Sequence, residues 1–149
     1  MSLEKLVMEQ MKAAMKSKDT VALQALRAVK SAILIAKTEK AGVTEIAEDD
    51  GIKIIQKLVK QRSESIEIYK QQGREELASD EIAEVEILET FLPKQLSAKE
   101  VEVLVKAIIE KTGAQTRADM GKVMGMAMKE AAGRTDGKTI SSAAAKLLS

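Results

Sequence analysis

Residues 119–137 read DMGKVMGMAMKEAAGRTDG and hold the side chains best suited to chemistry in this chain. Lys122 and Lys129 are seven residues apart, so a helix turns both ammonium groups to one face. Arg134 and Lys138 follow around the start of the next helix. Cations so spaced neutralise phosphates, and such contacts position a polyanion without reading its sequence. Gly121 and Gly125 stand in the same stretch, and each glycine inside a helix costs about 1 kcal/mol relative to alanine. Two explanations stand open: a neighbouring helix packs against the bare backbone, or a sugar–phosphate strand reaches it beside Lys122 and Lys129. They coexist if Gly121 faces inward and Gly125 outward.

On a wheel of about 100° per residue with Lys122 at the origin, Lys129 falls near −20°, Gly125 near −60° and Gly121 near −100°. Met120, Met124, Ala127, Met128 and Ala131 gather on the opposite side and are expected in the core. Met126, near +40°, falls on the lysine side. Both glycines are expected at the border of the two faces. In AGRTDGK, Arg134 precedes a helix start, where free amides and the helix dipole favour negative charge. Asp136 works against a strong anion pocket there, because its side chain caps the same amides.

The rest of the composition excludes more than it suggests. Histidine and cysteine are both absent, which removes the commonest general base, the commonest transition-metal ligand, disulfides and thiolate metal sites. Phe91 and Tyr69 are the only aromatic residues, so base-stacking platforms for single strands are missing. The run Glu48, Asp49, Asp50 reads as solvated charge; no phosphate-binding loop accompanies it for Mg²⁺. No catalytic constellation, metal site or cofactor is expected. No leader-like start and no apolar run of about 18 residues appears, and a cytoplasmic location of bacterial type without membrane contact is expected. Residues 1–93 hold 14 Lys+Arg against 17 Asp+Glu, and residues 94–149 hold 10 against 6. The carboxy-terminal third is the basic part, which suits an anionic partner.

These side chains need helices to hold them, and helical periodicity runs throughout. A first helix follows Ser2, with Leu3, Leu6, Val7, Met11 and Ala14 on one side. Asp19 caps a second, which Gly42 stops. A long third helix runs over 47–72 with the stripe Ile52, Ile55, Val59, Ile66 and Tyr69, and Gly73 ends it. A fourth, over 75–90, folds back to make an antiparallel helical hairpin. Arg62 sits at the centre of the third helix's apolar stripe, where it must pair or cost several kcal/mol in desolvation. Glu89 is its expected partner in a structural ion pair that fixes helix register; the alternative is a basic contact exposed where the stripe is uncovered.

Pro93 restricts the residue before it, and Ser97 with Glu100 forms a capping-box pattern. A stiff linker over 94–97 therefore separates a helical domain over 1–93 from a second domain over 98–149. Helices are expected at 98–111, 117–131 and 137–148, capped by Thr116 and Asp136 and stopped by Gly113 and Gly133. The fold class is all-α: a four-helix amino-terminal part with a long hairpin, then a small three-helix bundle.

The segments LVKQRSESIEIY (58–69), EILETFLPKQLS (86–97) and RADMGKVMGMAMKEAAGRTDG (117–137) resemble the stand-alone YqeY family. That family is similar to the carboxy-terminal tail of the B subunit of glutamine-dependent aminoacyl-tRNA amidotransferase, the GatB/YqeY domain. The resemblance covers essentially the whole chain and implies a two-part helical fold. It also implies a tail-like role in holding tRNA, within a family linked to carbon–nitrogen ligase activity with glutamine as amido-nitrogen donor. The tail pattern V-G-x-V-M-K … G-K-A falls on Met124, Gly125, Met128, Lys129, Gly133 and Arg134, with Met124, Arg134 and Thr135 departing from it in side chain. The catalytic cradle and glutaminase partner of the amidotransferase have no counterpart here, so no amidation by this chain alone is expected.

The expected function is a non-catalytic module binding tRNA or other structured RNA, with Lys122, Gly125, Lys129, Gly133, Arg134 and Lys138 as contacts. A protein of the aminoacyl-tRNA or translation machinery is a further expected partner. The alternative is a protein–protein adaptor that docks partner helices, using Met126 and the apolar faces, without touching nucleic acid.

Overall fold

The computed structural model describes residues 2–40, 42 and 44–148, and every regular element among them is helical. The chain divides into two compact units, Met1–Leu92 and Pro93–Ser149. The first holds α1 (Leu3–Ser17), α2 (Thr20–Glu39), α3 (Glu48–Gln71) and α4 (Glu75–Glu89). The second holds α5 (Ala98–Thr112), a 3-10 turn (Arg117–Asp119), α6 (Met120–Ala131) and α7 (Gly137–Leu147).

Local chemistry sets the boundaries in the first unit. The Ser2 hydroxyl accepts the Lys5 N–H at 3.3 Å and opens α1. Asp19 accepts the Ala22 N–H at 3.0 Å and opens α2, satisfying a donor that the first turn otherwise leaves free. Helix α2 stops at Glu39, before Gly42, through the extended backbone of Lys40. Glu48, Asp49 and Asp50 occupy the first turn of α3, where carboxylates complement the helix dipole. The core is aliphatic: Val7, Ala25, Leu26, Val29, Ile33, Ile55 and Leu88 lie together, with Leu58, Val59, Ile87 and Phe91 against them.

Gly73, at φ +71°, turns α3 into α4, and the two helices pack against each other. Arg62 pairs here, but with Glu84 at 3.6 Å, not with Glu89. The reason is register. Arg62 lies eleven residues before Gly73 and Glu84 eleven after it, so an antiparallel hairpin closing at Gly73 sets them abreast. Glu89 is exposed. The pair is buried, its side chains 16% and 5% exposed, yet imperfect: Arg62 Nε and Glu84 Oε1 have no hydrogen-bond partner. Burial pushes the Glu84 carboxyl above its ordinary range; Arg62 opposes this, while Glu81 and Asp80 reinforce it.

In the second unit, Ser97 and Glu100 exchange the two bonds of a capping box at 3.2 and 3.1 Å, and Gly113 at φ +71° ends α5. Val101, Val105, Ile108, Val123, Ala127, Ile140 and Ala144 form the core. Residues 94–96, expected as linker, are tied into this unit: the Leu96 N–H donates to the Arg134 carbonyl at 2.8 Å and the Gln95 amide to that of Gly133 at 3.0 Å.

Candidate nucleic-acid interface

Helix α6 begins at Met120, later than its periodicity suggests. Residues 117–119 form a 3-10 turn closed by Asp119, whose carboxylate accepts the N–H groups of Gln115 at 3.0 Å and Thr116 at 3.3 Å. The buried face of α6 is Val123, Ala127 and Ala131, one stripe at steps of four. Met120, Met124 and Met126 flank it, half-buried against the core. Two expectations change as a result. Met126 packs half-buried against the core, and Met128 is 38% exposed.

With the stripe centred near Ala127, the opposite face of α6 contains Gly121, Lys122, Gly125 and Lys129, and all four are exposed. The glycines therefore sit on the outer face and not at its border. A side-chain carbon added at Gly121 or Gly125 meets nothing within 4 Å. Packing of a neighbouring helix within the unit does not explain either one. Gly137, at the start of α7, lies close to the side-chain ends of Met124 and Met128. The bare strip is thus bordered on one side by the two lysines, about 10.5 Å apart along the axis, and on the other by Met128, whose sulfur lies near the first turn of α7. That turn contains exposed Lys138, and Asp136 caps it by accepting the Thr139 N–H at 2.7 Å.

Gly133 and Arg134 serve the loop more than the ridge. Helix α6 stops through Ala132, at φ +48°, with Gly133 following at φ +85°. The sequence pointed to glycine alone for this stop; an alanine in the left-handed region is strained by about 1–2 kcal/mol. Arg134 donates from Nε to the Lys94 carbonyl at 3.0 Å while its side chain stays exposed. It both holds the 94–96 segment and adds positive charge at the surface.

The electrostatics of this unit favour an anion. Among the described residues the ion pairs are Glu4–Lys37, Lys40–Asp50 and Arg62–Glu84, all in the first unit. Half of the six carboxylates after residue 93 instead accept backbone N–H groups: Glu100, Asp119 and Asp136. Hydrogen bonds from Ser97 hold the Glu100 carboxyl below its ordinary range. Those from Gln115 and Thr116 do the same for Asp119, with Lys122 adding a smaller pull. Among the described residues no ion pair joins a cation of this unit to an acidic side chain.

Among the described residues, no group of three or more Asp or Glu is placed to hold a metal ion, and no helix is long and apolar enough to cross a membrane.

Comparison with known proteins adds a family. The sequence profile of the Yqey-like proteins matches residues 4–148. The chain is similar to a protein of Pyrenophora tritici-repentis called "Altered inheritance of mitochondria protein 41, mitochondrial". The two are 34% identical over 127 residues, which span 83% of this chain and 68% of that protein.

Proposed function

The chain belongs to the Yqey-like protein family, and on that premise we propose that its second unit is a non-catalytic RNA-binding module for tRNA or another structured RNA. The observation that supports the reading is the open glycine strip of α6. Two glycines weaken the helix by about 1 kcal/mol each with no neighbour among the described residues of their unit to require them. An external backbone needs that clearance, and Lys122 and Lys129 stand beside it to neutralise phosphates. Lys138 flanks the strip, Arg134 adds charge at the adjoining loop, and Gly133 shapes that loop. Contacts of this kind grip the sugar–phosphate chain and leave base identity unread, which suits a module that delivers RNA to a separate active centre. The resemblance to the amidotransferase tail points the same way, with catalysis residing in other chains and the cytoplasm as the setting.

The test is tRNA affinity across a salt series. Parent protein should lose affinity steeply as salt rises. Lys122→Ala/Lys129→Ala should bind more weakly at low salt, with a slope of log K against log salt flattened by roughly one unit per contact removed. Equal affinity and equal slope for parent and variant would remove the assignment. Retention of a partner protein through nuclease treatment and high salt, with no tRNA shift, would favour the adaptor reading.

A further inference from the structure

The first unit divides its charge between two places. Residues 1–40 hold eight Lys+Arg against four Asp+Glu. Of those four carboxylates, Glu4 is bound to Lys37 and Asp19 to the backbone of α2. Helix α4 is the reverse: seven of its fifteen residues are acidic and none is basic.

Each place also exposes apolar side chains. On α1, Lys5, Met8, Lys12, Met15 and Lys16 share one outward strip by helical spacing, with the single carboxylate Glu9 at its edge; Met8 and Met15 are 55% and 61% exposed. On α4, Glu75, Ile82, Glu86 and Glu89 share another, and all four are exposed. None of residues 60–86 joins the core cluster of the unit, and Ile68 and Leu77 on the α3–α4 hairpin are exposed. The strips are of similar length, about 16 Å from Lys5 to Lys16 and about 21 Å from Glu75 to Glu89. They are opposite in sign, and each sets apolar side chains among its charges.

We propose that these strips meet in a second copy of this chain, the acidic strip of α4 in each protomer lying along the basic strip of α1 in the other. A two-fold arrangement uses both strips of both copies at once and closes the assembly at two chains. Ile82 then packs among the methionines, whose unbranched side chains adapt to such contacts, and flanking charges fix the register.

The pairing is tested by sedimentation of the full chain over micromolar to sub-millimolar concentrations, at low and high salt. Parent protein should approach twice the 16.2 kDa chain mass at low salt and dissociate as salt rises. Lys5→Glu/Lys12→Glu and Glu86→Lys/Glu89→Lys should each weaken dimerisation about tenfold or more. Mixing these two variants should restore a dimer, because each strip then faces its opposite again. Circular dichroism and melting of each variant verify that the helices persist. A parent that stays at monomer mass at low salt overturns the proposal. So does either variant dimerising like the parent, or a mixture that fails to recover. A monomeric parent whose tRNA affinity falls with Lys5→Glu/Lys12→Glu also overturns it, and makes the α1 strip an RNA contact instead.

Discussion

The two units handle charge and glycine in opposite ways. The first contains the three ion pairs found among the described residues, the buried Arg62–Glu84 contact across the hairpin among them. In the second, three of the six carboxylates accept backbone N–H groups, and no ion pair is found among the described residues. The helix glycines divide along the same line. Gly51, inside α3, is buried, and a side-chain carbon added there lies 3.0 Å from Leu3 Cδ2. Gly121 and Gly125, inside α6, face open space. One glycine lies against a neighbour within its unit; the other two have none within 4 Å. The special residues of the first unit serve its own packing, and those of the second leave an open strip on α6.

The largest effect expected within this contrast comes from the buried pair. Arg62→Met leaves Glu84 buried without a counter-charge, and the first unit should lose about 3–5 kcal/mol in denaturant unfolding. Arg62→Met/Glu84→Met should recover most or all of that loss, because a packed apolar pair replaces an ion pair with unsatisfied atoms. A double variant no more stable than the single one would show that the pair does more than hold the hairpin.

Overpacking comes next. Gly51→Val drives side-chain atoms into Leu3 and should destabilise the first unit by about 1–3 kcal/mol, read from the same unfolding curves. An unchanged or higher midpoint would remove the packing explanation for this glycine.

The smallest effect is the pH response, and it has opposite sign in the two units. Glu84 has a raised folded pKa, so between its ordinary value and the folded one the native state binds more protons than the unfolded state. Its contribution therefore rises as pH falls through the folded value towards the ordinary value of 4.5 and is lost as pH rises again. Glu100 and Asp119 are lowered. Their stabilising contribution is present above their unfolded values, 4.5 and 3.8, and is lost as pH falls through the folded ones. Unfolding of the parent and of Glu84→Gln from pH 7 to 4.5 should differ in slope, the variant lacking the gain on acidification. Parallel curves would contradict the assignment.

Much of this organisation is legible in the sequence, because its signals are local. Ser2, Asp19, Ser97 with Glu100, and Asp136 announce helix starts by short-range hydrogen bonding, and Gly73 and Gly113 announce ends by backbone freedom. What escaped was relational. Glu89 borders an apolar stripe, which suggests a partner for Arg62, but equal spacing of eleven residues on either side of Gly73 selects Glu84. In α6 the methionines drew attention from Val123, Ala127 and Ala131, whose four-residue steps mark the buried face and put both glycines outside. No sequence signal marks Ala132 as the stop of α6, since alanine is disfavoured in the left-handed region and tertiary bonds around 94–96 hold it there.

The most direct test measures one variant in two ways. Gly125→Ala should stabilise the second unit by about 0.5–1 kcal/mol, because alanine relieves the helix and its methyl meets no protein atom. The same variant should bind tRNA more weakly than the parent at every salt concentration while keeping the parent's salt slope, since no charge is removed. Higher stability with undiminished tRNA affinity would contradict the account.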